Sequence, residues 1–284
     1  MAVTKRVAIV GIGTTAAPGK IHPEKSWKEI VADAAFEAMQ DAGMKPKDID
    51  GACIGYHGEG NQEQGGIGGS VTDLLGIAPA PTFPTCMNCS GGTVSLNTGY
   101  EMVASGKYKH VLVMGFDKEG DNLAYTENIN ISFDTEYDFN FGFRHRDGFE
   151  LMSRTYMRKY GYNDDYTFYG TPMPEFESLK NANSCMSVMG EGCAAAILVP
   201  EEEAYKYNKN PVWIDGITLS CTSHYIAHRY GEPPMGERYP KGLDMNDMDG
   251  QSVALIDAAR HAYKMAGITP KDIDVAEVYD LTAG

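Results

Sequence analysis

The segment DAAFEAMQDAGMKPKDIDGA that begins at Asp33 returns as DAARHAYKMAGITPKDIDVA at Asp257, with twelve of twenty positions identical at a constant offset of 224. Stacked solenoids repeat every 20 to 50 residues or so, so a spacing this long describes two duplicated halves packed together. Each half reads as strand, helix and strand again. In the first, VAIVGIGTT from Val7 is a short β-branched run closed by glycine, the pattern of a buried strand in a parallel sheet. Ser26 with Glu29 then makes a capping box, and Ile30, Ala34, Ala38 and Ala42 recur at helical spacing. Small residues on that stripe allow close approach to a neighbour, and Gly43 followed by Pro46 ends the helix.

Between the halves, HVLVMGF from His110 and CAAAILV from Cys193 read as further buried strands. The stretch separating them is rich in Tyr, Phe, Asn, Asp and Arg and reads as an insertion, the kind of segment that carries ligand contacts. The expected domains are therefore 1–209, a first half with an inserted loop region at about 118–189, and 210–284, a partial second half opened by the strand VWIDGITLS.

The chain has 284 residues, enough for a large core, and carries 24 Lys and Arg against 39 Asp and Glu, a net charge of -15. Such a surface disfavours nucleic acid and anionic membranes, so any anionic ligand must meet a local basic cluster. Six scattered cysteines, no cleavable apolar leader and no apolar run of about 18 residues or more predict a soluble cytoplasmic protein with no membrane span.

Gly11, Gly13 and Ala16 match the dinucleotide fingerprint G-x-G-x-x-A, but Pro18 and Pro23 intervene before the helix, leaving no helix N-terminus for a pyrophosphate. The stretch TCMNCSGGTVSL from Thr85 admits more readings. A zinc site needs a second pair at ligand spacing, and Cys185 with Cys193 does not supply one, nor do His57, His110 and His145, so no metal is expected. A redox pair of Cys86 and Cys89, two inert core thiols, and a single nucleophile all stay open. Ser90, Gly91 and Gly92 permit a tight strand-to-helix turn, and a helix over Thr93 to Ser105 would direct its positive end at Cys89 and favour the thiolate. Cys89 is thus the candidate nucleophile, with Cys86 as its neighbour.

The run NCSGGTVSLNTGYEMVASGKYKHVLVMGFDK from Asn88 to Lys118 resembles the nucleophile loop, buried helix and following strand of thiolases. VAIVGIGTT, AGMKPKDID, GEGCAAAILV and AGITPKDIDVAEVYD fall in that family's order, so the resemblance covers nearly the whole chain. It is strongest to the sterol-carrier-protein-x-like branch, which includes acetyl-CoA acetyltransferase-like thiolases paired with a zinc-ribbon OB-fold subunit. The resemblance implies an α/β fold in five layers, α-β-α-β-α, with two duplicated halves, the C-terminal one incomplete in this sequence. It also implies an acyl-CoA C-acyltransferase, with Cys89 attacking a 3-oxoacyl-CoA, a thioester intermediate, and coenzyme A as substrate rather than permanent cofactor. A homodimer or higher oligomer follows from the same likeness, with the OB-fold subunit as a further partner.

The departures are specific. Neither the family's Gly-His-Pro-x-Gly motif nor its Cys-x-Gly-Gly motif is present, and Tyr279, followed by Asp280, stands where relatives carry an Asn or His. Three explanations remain open: stretches of a longer polypeptide omitted here, the missing groups on a partner chain, or a noncatalytic relative that binds CoA or scaffolds an enzyme. A ketosynthase or hydroxymethylglutaryl-CoA synthase-like enzyme would share the fold and the cysteine. Arg144, His145 and Arg146, with Arg154, Arg158 and Lys159 beyond, form the densest basic cluster and are the candidate CoA contacts, against the alternative of a solvated face. Phe139, Phe141, Phe143 and Phe149 would suit a bulky acyl group, such as the aromatic one of benzoylsuccinyl-CoA, or would simply pack.

Overall fold

The structure, a computed structural model, describes residues 5–16, 20–121, 132–143, 147–148, 190–221, 224–225 and 252–279. The chain divides into two compact units, Met1–Asn128 with Met189–Ile217 and Ile129–Val188 with Thr218–Gly284.

The first unit is a mixed sheet between helices. Its strands are β1 (Val7–Thr14), β2 (Gly51–Tyr56), β3 (Thr82–Cys86), β4 (Val111–Asp117), β5 (Gly192–Pro200) and β6 (Val212–Trp213), in the order β3-β2-β4-β5-β1-β6. The helices are α1 (Trp27–Asp41), the single turn α2 (Glu59–Gln62), α3 (Ile67–Leu75), α4 (Gly91–Ala104) and α5 (Glu201–Tyr207). Side chains alternate across the sheet as a period of two requires. Ala8, Val10, Ala52, Ile54, Leu112, Met114, Ile197 and Val199 meet α1 and α3 in one core. Val7, Cys53, Val111, Val113 and Leu198 meet α4 in another. Both faces being covered, the strands read as continuous apolar runs.

Helix α1 forms where its cap and stripe predict. The Glu29 N–H donates to Ser26 Oγ, and Glu29 Oε2 accepts from the Ser26 N–H at 2.8 Å. Ile30, Ala34 and Ala38 are fully buried, and Gly43, at φ 65, turns the chain away. The glycines of the would-be dinucleotide motif belong to this packing. A Cβ on Gly11 would stand 2.5 Å from Ala38 O, and one on Gly13 would run into Ala34 O, so both are bare to let α1 lie against β1.

Two sequence expectations are corrected. Strand β1 is not flanked by parallel neighbours; it pairs antiparallel with β5 and with β6. The insertion leaves from the end of β4 and returns the chain to that same end, with Asp117 opposite Gly192. Strand β5 must therefore run against β4 and, seated beside it, against β1. As a strand, VWIDGITLS is also shorter than its sequence suggests. Only Val212 and Trp213 form a strand, on the outer edge of β1, where the Ile214 N–H also donates to Val7 O at 3.1 Å. That edge holds them because Arg6 lies 4.4 Å from the centre of the Trp213 ring and bonds Asp215.

In the second unit the duplicated sequence reproduces local structure. Helix α6 (Ser252–Ala266) is the copy of α1. The Pro-Lys-Asp turn that follows each copy closes alike, with Asp48 Oδ2 accepting from the Lys45 N–H and Asp272 Oδ2 from the Thr269 N–H, both at 2.8 Å. Among the described residues no helix is long and apolar enough to cross a membrane.

Candidate active site

Strand β3 delivers the chain to the cysteines and α4 carries it away. Between them Met87 takes φ -150, Asn88 takes the left-handed value φ 45, and Asn88–Ser90 form one 3₁₀ turn in which the Ser90 N–H donates to Met87 O at 2.9 Å. Asparagine tolerates that conformation better than most side chains, which explains its place before the cysteine. Cys89 is exposed on this turn, immediately ahead of α4. No side chain caps α4, so the positive end of the helix is left to whatever lies before it.

Glycines set the depth of the turn. A Cβ on Gly91 would lie 2.6 Å from Tyr56 O, one on Gly55 would collide with Gly91 O, and one on Gly115 would lie 2.9 Å from the Gly92 Cα. The first turn of α4 thus rests directly on the backbones of β2 and β4. Beside it opens a cleft of about 460 Å³ lined by Asn88, Cys89, Gly92, Gly115, Asp117 and Ala194, among others. Its wall of glycine and alanine gives a bare, backbone-lined slot, with Leu96, Val113 and Phe116 adding apolar surface.

Cys86 is exposed but is not among the cleft residues; its S–H donates to His57 O at 3.2 Å. Asp117 takes part in the cleft unforeseen. Its Oδ2 accepts from the His57 N–H at 3.0 Å and its Oδ1 from Gln62 Nε2 at 2.7 Å, which fastens the segment after β2 to the end of β4. Burial lowers the His57 imidazole below its usual pKa. Burial, then the charges of Glu59 and Cys86, raise the Tyr56 phenol. Only the final Phe-Asp of the β4 run signals Asp117 in the sequence, and nothing local ties it to a residue sixty positions earlier.

A buried ion pair closes the neck of the insertion. Lys118 and Glu191, each 2 % exposed, meet at 3.1 Å, and Glu191 also accepts from the His22 and Gly120 N–H groups. Burial pulls the Lys118 ammonium down, but its bonds to Asp121 and Glu191 outweigh this and hold its pKa above the ordinary lysine value.

The remaining candidates lie in the second unit or outside the described residues. Tyr279 belongs to the second unit and is exposed. Asp280, Arg144, His145, Arg146, Arg154, Arg158, Lys159 and Phe149 lie outside the described residues. Phe141 and Phe143 line a hollow of about 510 Å³ in the second unit with Tyr137, Asp138, Asp147 and Tyr225, while Phe143 meets Phe133 edge to face at 5.0 Å.

No family model matches the chain. Among curated proteins it is 27% identical over 301 residues to an acetyl-CoA acetyltransferase of Methanothermobacter thermautotrophicus, spanning 96% of this chain and 73% of that one. It is 25% identical over 313 residues to sterol carrier protein 2 of Oryctolagus cuniculus, spanning 97% of this chain and 54% of that protein. Among solved structures, an Ltp2-ChsH2(DUF35) aldolase superposes with a TM-score of 0.70 at 17% identity, covering 99% of this chain and 75% of that one. Human mitochondrial 3-ketoacyl-CoA thiolase in complex with CoA gives 0.63 at 16%, covering 100% and 81%. With relatives aligned along nearly its whole length and the same α/β architecture in its structural neighbours, the chain belongs to the thiolase superfamily.

Proposed function

We propose that the protein is a thiolase-type acyl-CoA C-acyltransferase in which Cys89 is the nucleophile. The observation that carries this reading is the exposed Cys89 on the turn ahead of α4, at a cleft with a bare backbone wall. A thiolate there attacks the keto carbon of a 3-oxoacyl-CoA; the carbon–carbon bond breaks, its electron pair goes to the departing acyl-CoA, which takes up a proton, and the acyl group stays on sulfur until CoA takes it. Run backwards, the same steps make the carbon–carbon bond in a Claisen-type condensation. Coenzyme A is substrate in either direction, as the CoA complex of the neighbouring thiolase suggests by analogy. Backbone N–H groups at the head of α4 supply the donors an oxyanion needs.

A bulky aromatic acyl group, for which benzoylsuccinyl-CoA is the type, is in keeping with the aromatic-rich sequence of the insertion. The likeness to an aldolase that pairs Ltp2 with ChsH2(DUF35) favours a small OB-fold partner subunit in addition to self-association. The absence of a disulfide among the described residues favours the cytoplasm. Incubation with acetyl-CoA and intact mass measurement tests the core of the reading: an acetyl adduct present in the wild type and absent from Cys89→Ser supports it. CoA binding without any adduct leaves the noncatalytic, scaffolding reading in its place.

A further inference from the structure

Of the side chains that line the cleft beside Cys89, Asp117 is the one carboxylate, and no Lys, Arg or His stands with it among the described lining residues. Strand and helix fix where that carboxylate lies. Val111, Val113, Gly115 and Asp117 alternate onto one face of β4. There Gly99 rests on Val111 and Val113, and Gly92 on Gly115, so α4 runs antiparallel to β4 and its head stops over Gly115. Asp117 is two residues farther on, about 7 Å along the strand, on the side from which the Cys89 turn enters the helix. The group is also held in place. Its Oδ2 accepts from the His57 N–H and its Oδ1 from Gln62 Nε2, and both donors are neutral, so they orient the carboxylate without cancelling its charge. The adjoining cation, Lys118, is turned to Glu191 and Asp121.

We propose that Asp117 is a specificity-determining residue that bars negatively charged groups from the Cys89 cleft, so that the site selects neutral alkyl or aryl acyl groups over those ending in a carboxylate, such as succinyl. The inference rests on the acyl-transfer reading of this same cleft. In the transfer the Cys89 sulfur bonds the carbonyl carbon of the acyl-CoA, and CoA leaves with the electron pair of the broken C–S bond and takes up the thiol proton. The acyl tail then lies along a wall that is otherwise glycine, alanine and apolar side chains. A carboxylate on that tail meets Asp117 across a slot of low dielectric, where like charges several ångströms apart repel strongly enough to cost about fivefold or more in rate.

The experiment measures two rate ratios at Cys89 of the full chain by peptide mass: iodoacetamide against iodoacetate, and acetyl-CoA against succinyl-CoA. Each ratio compares a neutral with an anionic reagent at one sulfur, so a general change in folding or in thiol reactivity cancels and charge in the cleft does not. The wild type is expected to favour the neutral reagent in both pairs, Asp117→Glu to keep that preference, and Asp117→Asn, which removes the charge at nearly the same shape, to narrow it by about fivefold or more. Added salt is expected to narrow the wild-type ratios as well. Ratios that are the same in the wild type and Asp117→Asn overturn the proposal, as does a wild-type alkylation ratio equal to that of the chain unfolded in urea. An alkylation ratio that shifts as expected while neither CoA ester acylates Cys89 defeats the acyl-transfer reading alone. Acylation by both esters in a ratio that Asp117→Asn leaves unchanged defeats this proposal alone.

Discussion

Two pairs of cysteines in the first unit have opposite surroundings. Cys53 on β2 and Cys193 on β5 are sealed in the two cores, 0 % and 3 % exposed, and burial pushes both thiols up to about 12. Cys86 and Cys89, at the corner between β3 and α4, are exposed. The sulfur is the same in all four; what differs is whether the backbone turns it into hydrocarbon or out at the head of a helix. Strand alternation decides the first pair, and a glycine seam with one left-handed asparagine decides the second.

The largest expected effect comes from breaking the seam. Gly91→Val sets new carbons against the Tyr56 backbone, which cannot yield, and is expected to cost about 3 kcal/mol or more in urea unfolding while slowing alkylation of Cys89. Gly13→Val in the seam between β1 and α1 should cost a similar amount yet leave Cys89 alkylation unchanged, which separates damage to the corner from damage to the fold. Cys53→Ser places a hydroxyl among Met102, Val113 and their neighbours and is expected to cost about 1–3 kcal/mol with no change in labelling of the corner thiols.

The pH dependence has a definite sign. The Cys53 and Cys193 pKa values are raised on folding, so their contribution is complete below the unfolded value of 9.0 and is lost as pH rises toward about 12. Stability is expected to fall across that alkaline window, and Cys53→Val should flatten part of the fall. At pH 8, iodoacetamide should modify Cys86 and Cys89 rapidly, and Cys53 and Cys193 only as the protein unfolds. Smallest of all, Cys86→Ala removes an exposed sulfur and should shift stability by about 0.5 kcal/mol or less in the same unfolding assay.

Much of this corner was legible in the sequence. The Ser26 box, the alanine stripe and the β-branched runs are local patterns, and α1, β1, β4 and β5 form where they point. The helix ending at Gly106 and the cysteine ahead of it were readable from glycine placement alone. Strand direction was not. The antiparallel pairing of β5 with β1 depends on where a long insertion returns the chain, which no window of residues encodes. Asp117 was missed for the same reason, since its partners His57 and Gln62 reach it only through the pairing of β2 with β4. The Gly-x-Gly of β1 matched a cofactor motif because close backbone approach needs glycine whether the approaching group is a pyrophosphate or a helix.

If Cys89 is the nucleophile, it accepts an acyl group as a thioester. Intact mass spectrometry of the protein after incubation with acetyl-CoA, with the site mapped by peptide fragmentation, measures this directly. One acetyl group is expected on Cys89, released by added CoA and absent from Cys89→Ser. Full labelling of the same cysteine by iodoacetamide with no acyl adduct from acetyl-CoA or from a bulkier aromatic acyl-CoA would contradict it.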